Sequence, residues 1–305
     1  MLLLSKTFSF IQKIPQDFGY RHLSFKYQND PVNVLVISKA GEERVAKPLL
    51  FFCQGNLPQP VIKYDQKGLH PVLPFDENPF LEQFHIALIA PPFIPVIANA
   101  NQLDTDFAYW KDAEQRLPPK GFSERNYLDY YVFRNNSILR QLFKERWVRT
   151  SRLLVIGHAE GSAVATKMAA INTKVSQLIY AGGNPYGKIV NLLLQHRHDN
   201  CETTNPAILY WKKVVENVHA TNAPNGNSYK MTYSFSLPQK EQLLGLKIPV
   251  LMVYGANDQA ATFNDLFQID AIREQKQNIV FKSYRNLENE MAKDWMDWLG
   301  NSKVS

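Results

Sequence analysis

Between Arg152 and Met168 the chain reads RLLVIGHAEGSAVATKM. A β-branched, apolar run (Leu153, Leu154, Val155, Ile156) stops at Gly157, and a small-residue helical pattern begins near Gly161. Strand, sharp glycine-flanked turn and helix make up the local plan that raises one side chain at a turn apex for nucleophilic attack. It is written Gly-x-Ser-x-Gly when the nucleophile is serine. Here the five residues are Gly157, His158, Ala159, Glu160 and Gly161, so the frame is intact and the hydroxyl is missing. An apex held on strained backbone needs small neighbours, which Ser162, Ala163 and Ala165 supply. A plain buried strand-to-helix turn also favours Gly and Ala. Two titratable groups flank the apex. His158 precedes it, where side chains pack beside the sheet. Glu160 follows it, placed either to act as a base or to brace the turn.

The elements around this turn alternate. Two strands are expected within residues 23–40, the second being NVLVISKA, and a buried strand at PLLFFC, Pro48 to Cys53. That strand runs into Gln54-Gly55-Asn56-Leu57-Pro58, where a glycine lets the backbone turn with its N–H groups exposed. Residues 58–83, rich in Pro, Gly and Asp, read as loop. The next strand, from Phe84 to Phe93, stops at its prolines, and 94–122 reads as an irregular excursion. A helix is expected from an N-cap at Ser123 to about Trp147, with Leu128, Tyr131, Ile138 and Leu142 on one face. After the glycine-flanked turn come a strand at 175–183, a strand at PVLMVYGAND, a helix from Phe263 to Gln275, the strand NIVFKSY and the helix MAKDWMDWL. This alternation predicts an α/β protein with a mostly parallel central sheet covered by helices on both faces. Residues 185–245 break the rhythm with amphipathic pieces and polar turns, and an insertion of that size suits a lid over a pocket. The expected organisation is a core of 1–184 and 246–305 with a lid at 185–245.

A chain of 305 residues, 45% hydrophobic, can bury one large domain with an insertion. Its net charge of +6 is spread among Asp and Glu without a basic block, which argues against nucleic acid as a partner. Cys53 lies in an apolar strand and reads as a buried free thiol. Cys201 is distant, so no disulfide framework or metal spacing exists, and His196 and His198 lack a third ligand. Neither a metal nor another cofactor is expected. The start, MLLLSKTFSF, has no basic residue before its short apolar run and is too short to span a membrane. The expected place is the cytoplasm. Phe93, Tyr186 and Trp211 are candidates to line an apolar pocket, though packing accounts for them equally well.

This order of elements resembles the α/β-hydrolase fold over nearly the whole chain. In that family a Ser-Asp-His triad occurs in that chain order on loops at the strand ends. The resemblance places Ala159 at the nucleophile position. It makes Asp258, in Gly255-Ala256-Asn257-Asp258, the acid. Asn289, in Leu287-Glu288-Asn289, stands where the base histidine is expected, and no histidine occurs after His219. Glu288 and Glu290 flank that position and read as solvated carboxylates. The implied oxyanion donors are the backbone N–H groups of Glu160 and of Asn56 or Leu57.

A triad needs an attacking oxygen, an imidazole to take its proton and a carboxylate to hold that imidazole. Ala159 cannot attack, and the amide of Asn289 does not titrate near neutral pH. A Ser→Ala change alone would explain position 159 but not 289, which favours a natural loss or a deliberate double change. Three readings follow. The chain is a non-catalytic member of the serine esterase and acyl-hydrolase lineage that binds a small molecule. Or it is an ester or amide hydrolase whose nucleophile and base were replaced. Or it is a structural or partner-binding protein.

Overall fold

The computed structural model of the protein describes residues 13–199, 206–222, 227–285 and 291–302. A short 3-10 turn, Pro15–Phe18, leads into β1 (Arg21–Tyr27), β2 (Asp30–Ile37) and β3 (Lys47–Cys53). Next come β4 (Ile62–Asp65), β5 (Gly68–Leu69), α1 (Asn78–Leu81), β6 (His85–Ile89) and β7 (Ile97–Asn99). Helices α2 (Lys120–Arg125) and α3 (Leu128–Leu142) precede the long β8 (Val148–His158), α4 (Gly161–Ile171) and β9 (Gln177–Ala181). Four helices follow: α5 (Lys188–Asp199), α6 (Pro206–Glu216), α7 (Tyr229–Ser236) and α8 (Lys240–Gly245). The chain ends with β10 (Val250–Gly255), α9 (Ala261–Arg273), β11 (Ile279–Tyr284) and α10 (Met291–Asn301).

The main sheet has eight strands in the order β1-β2-β6-β3-β8-β9-β10-β11. Only β2 runs against its neighbours; every other pair is parallel. The β1–β2 hairpin turns on Gln28 and Asn29 at φ 49° and 67°, the backbone that two-residue hairpins require. Parallel neighbours need crossovers, and the helices that supply them cover both faces. Alternate residues of β8 divide between two cores, as the period of two demands. Leu153 and Val155 join Phe51, Ala163, Met168 and Phe267 on one face. Leu154 and Ile156 join Phe52, Ile86, Val253 and Trp295 on the other.

Three expectations need correction. The loop read at 58–83 contains β4, β5 and α1, and the excursion at 94–122 contains β7 and the start of α2. Strands β5-β4-β7 form a separate small sheet; runs of two to four residues between prolines leave too little periodicity to detect. The helix expected from Ser123 to Trp147 is two helices. Ser123 lies inside α2 and Trp147 lies just ahead of β8. The break falls at Asn126, whose backbone leaves the helical region at φ −78°, ψ 76° and whose side chain bonds to Asn56 and Tyr131. No helix among the described residues is long and apolar enough to cross a membrane.

Candidate functional site

β8 sits in mid-sheet and delivers its C-terminal end to a turn whose apex is Ala159. Ala159 adopts φ 52°, the left-handed region that costs an L-residue about 1–2 kcal/mol. The turn is fixed from several directions. The Ala159 N–H donates to the Ala181 carbonyl at 3.0 Å, and the Ser162 N–H donates to the Ala159 carbonyl at 3.0 Å. The flanking glycines are required by close approach and not by dihedral angle. A Cβ at Gly157 would lie 2.5 Å from the Gly161 carbonyl oxygen, and one at Gly161 would lie 2.0 Å from the Cys53 carbonyl oxygen. Helix α4 therefore presses on both the strand that feeds it and the neighbouring β3. Ser162 is fully buried. Its hydroxyl faces the Gly157 and Ala181 carbonyls at 2.9 and 3.0 Å, so its proton is committed to the sheet side and it offers no attacking oxygen to the apex.

Over the apex lies a hollow of about 80 Å³, lined by Ala159, Glu160, Tyr180, Lys188, Asn191 and Gln239 among others. Room for a few waters is all that it offers. Lys188 of α5 donates to the Glu160 carboxylate across this hollow. Burial pushes the Glu160 pKa up. The Lys188 charge and hydrogen bond, with the residue's own backbone N–H, outweigh that effect and hold it below the ordinary glutamate value. Gly55 adjoins the same place: a Cβ there would lie 3.8 Å from both the Ala159 Cβ and a Glu160 carboxylate oxygen. The loop after Gly55 is tied down by Asn126, whose amide donates to the Asn56 carbonyl at 3.2 Å while accepting from the Tyr131 hydroxyl at 3.1 Å. Asn56 is buried and Leu57 is half-exposed. Neither lines the hollow.

On the other side of the apex lies a larger cavity of about 370 Å³. His158 and Asp258 stand at its exposed rim. Its walls include Phe52, Phe75, Tyr254 and Trp295. The aromatic walls hold one another: Phe75 packs on Phe52 and Trp295 with ring centroids 5.8 and 5.3 Å apart, and Tyr254 is anchored by its hydroxyl, which donates to Asp265 at 2.7 Å. The Asp258 N–H donates to the Gly255 carbonyl at 3.1 Å, and the Asp258 carbonyl accepts from Ala261 at 2.9 Å at the start of α9. The protein around His158 desolvates it and lowers its pKa; Glu160 and Asp258 oppose that shift without cancelling it.

The fold thus gathers Ala159, Glu160 and, across the cavity, His158 and Asp258. Asn289, Glu288, Glu290 and Cys201 lie outside the described residues. Cys53 is a buried free thiol, its pKa pushed up to about 12 by burial. His196 is exposed on α5, and among the described residues no cluster of His, Cys, Asp and Glu could hold a metal. The three candidate pocket aromatics line neither space. Phe93 is exposed, Tyr186 donates to Asp270 at 2.7 Å, and Trp211 stacks on Tyr233 at 5.9 Å. Lys188, Asn126 and Trp295 were not singled out from sequence. Only Trp295 carried a signal, as a tryptophan on the apolar face of the last helix.

No family model matches the chain, and no curated protein matches it. Solved structures do. An acylaminoacyl peptidase from Pyrococcus horikoshii aligns over 94% of this chain and 42% of its own, at 14% identity and a TM-score of 0.57. The α/β hydrolase GrgF from Penicillium sp. aligns over 92% of this chain and 96% of its own, at 14% identity and a TM-score of 0.54. Acetyl xylan esterase 1 from Thermoanaerobacterium sp. aligns over 93% and 82%, at 13% identity and a TM-score of 0.52. The chain spans less than half the length of the peptidase, and at these identities the likeness is one of fold.

Proposed function

We propose, from the premise that this chain has the α/β-hydrolase fold, that it is a small-molecule-binding member of the serine esterase and acyl-hydrolase lineage that performs no acyl transfer as written. The observation that carries this reading is the apex. Ala159 occupies the left-handed turn where the attacking side chain belongs, and the nearest hydroxyl in sequence, Ser162, is committed to the sheet. The roles that follow are a nucleophile position at Ala159, an acid at Asp258, a base position at Asn289, and oxyanion donors in the N–H groups of Glu160 and of Asn56 or Leu57. With nucleophile and base both gone, binding and the oxyanion donors alone leave a residual of roughly 10³ to 10⁴ over water. Helices α5 to α8 serve as a lid in this reading, since α5 reaches the apex through Lys188.

The experiment is a fluorophosphonate probe applied to this chain and to the Ala159→Ser, Asn289→His double variant. The expected result is no labelling of the chain. The double variant should label and should hydrolyse a small activated ester slowly, with a pH profile rising near the histidine value of roughly 6.5. Labelling of the unmodified chain at the elbow helix overturns the reading. One observation favours the second reading, a hydrolase whose reacting groups were replaced. The strained φ of Ala159 persists without a nucleophile to present, and strain of this kind is a feature of catalytic turns. On that reading the double variant recovers far more activity than either single change, because triad members act as a unit.

A further inference from the structure

We propose that the cavity between His158 and Asp258 binds a small primary amine with an aromatic or aliphatic body, its ammonium on the Asp258 carboxylate and its body against Phe75 and Trp295. This names the ligand class for the binding reading above and rests on it.

The volume comes first. At about 370 Å³ the cavity falls in the range of small-molecule sites, roughly 300–1,000 Å³, whereas the hollow over the apex does not. Its chemistry is polarised. The interior is aromatic and aliphatic, with Phe52, Phe75, Ile156 and Val253 all buried. The rim carries one carboxylate and one imidazole. Among the described residues no Lys or Arg pairs with Asp258. Lys188, which lines the neighbouring hollow, is held by Glu160. His158 supplies little compensating charge, because its pKa is pushed below the ordinary histidine value. A neutral imidazole keeps a lone pair for an ammonium N–H. A carboxylate beside a neutral acceptor and aromatic walls selects a cation with an apolar tail and rejects an anion.

The test uses the full chain and three probes of matched shape: phenethylamine, 2-phenylethanol and phenylacetate. Binding is read by calorimetry and by tryptophan fluorescence, since Trp295 lies in the wall. The amine is expected to bind at least tenfold tighter than the alcohol, and the acid not at all. Asp258→Asn, at an exposed position, should lower amine affinity at least tenfold and leave the alcohol unchanged. Met291→Trp, which fills the cavity from a half-buried lining position, should abolish binding of both. Equal binding of amine and alcohol, or an amine affinity that survives Asp258→Asn, overturns the ammonium assignment. No binding of any probe, or binding that survives Met291→Trp, overturns the cavity assignment. None of these results alters the fluorophosphonate outcome, so the two proposals fail separately.

Discussion

Two spaces flank the same apex and differ in almost every physical respect. The hollow over Ala159 is small, polar and occupied by the chain's own ion pair, Glu160 with Lys188. The cavity beside it is more than four times larger, aromatic, and carries a carboxylate that pairs with no cation among the described residues. Both are built on the end of β8, one on each face of the turn. The space over Ala159 is filled by internal charge, and the space bordered by His158 and Asp258 keeps room for a small molecule.

The largest expected effect breaks both spaces at once. Gly161→Ala places a Cβ 2.0 Å from the Cys53 carbonyl oxygen, and both partners are backbone that cannot step aside. The expected cost exceeds about 4 kcal/mol, read as loss of soluble protein or of cooperative thermal unfolding. Wild-type-like stability would show that α4 does not press on β3 as described.

A smaller effect separates the two spaces. Lys188→Met leaves Glu160 without its cation on the polar side only. Both side chains are about three-quarters covered, so after allowance for solvent screening the cost at pH 7 is about 1 kcal/mol. Its pH dependence has a definite sign. The Glu160 pKa is held below its ordinary value in the folded chain, so its contribution is present above the unfolded value. It is lost as pH falls through the folded one. Urea unfolding should therefore show a gap between wild type and Lys188→Met at pH 7 that closes under acid conditions. A gap that widens with acid would sink the assignment of that charge to Glu160.

The sequence made the turn legible because its constraints are local. Gly157 and Gly161 are four residues apart, and the clash that each avoids involves the turn itself or the adjacent strand. The strand-helix rhythm was legible for the same reason. What stayed hidden was assembled across the chain. Lys188 meets Glu160 from 28 residues away, and Asn126 reaches Asn56 from 70. The cavity draws on β3, β8, β10, α10 and the 74–75 loop together, and no window of sequence contains such a set. Apparent helical continuity masked the break at Asn126, because the bond from its amide to the Asn56 carbonyl is tertiary.

Ala159 and Gly55 give the smallest effects and the finest discrimination between strain and space. Ala159 sits at φ 52° with no side-chain function of its own. Ala159→Gly should raise stability by about 0.5–1 kcal/mol, relief of the left-handed backbone outweighing the added entropy of the unfolded chain. Gly55 was read as a turn glycine, yet its φ lies outside the left-handed region and its absent Cβ would meet only ordinary contacts at 3.8 Å. Gly55→Ala should therefore leave stability unchanged or raise it by up to about 1 kcal/mol, through loss of unfolded-state entropy. Its effect on the spaces should be one-sided. The new methyl faces Ala159 and Glu160, so it narrows the hollow over the apex and leaves the aromatic cavity untouched. In the Ala159→Ser, Asn289→His background this predicts lower ester hydrolysis, with phenethylamine affinity the same as in that background without the methyl. A stability loss above about 1 kcal/mol would mean that the turn after β3 depends on glycine after all. A parallel drop in amine binding would mean that the two spaces are one.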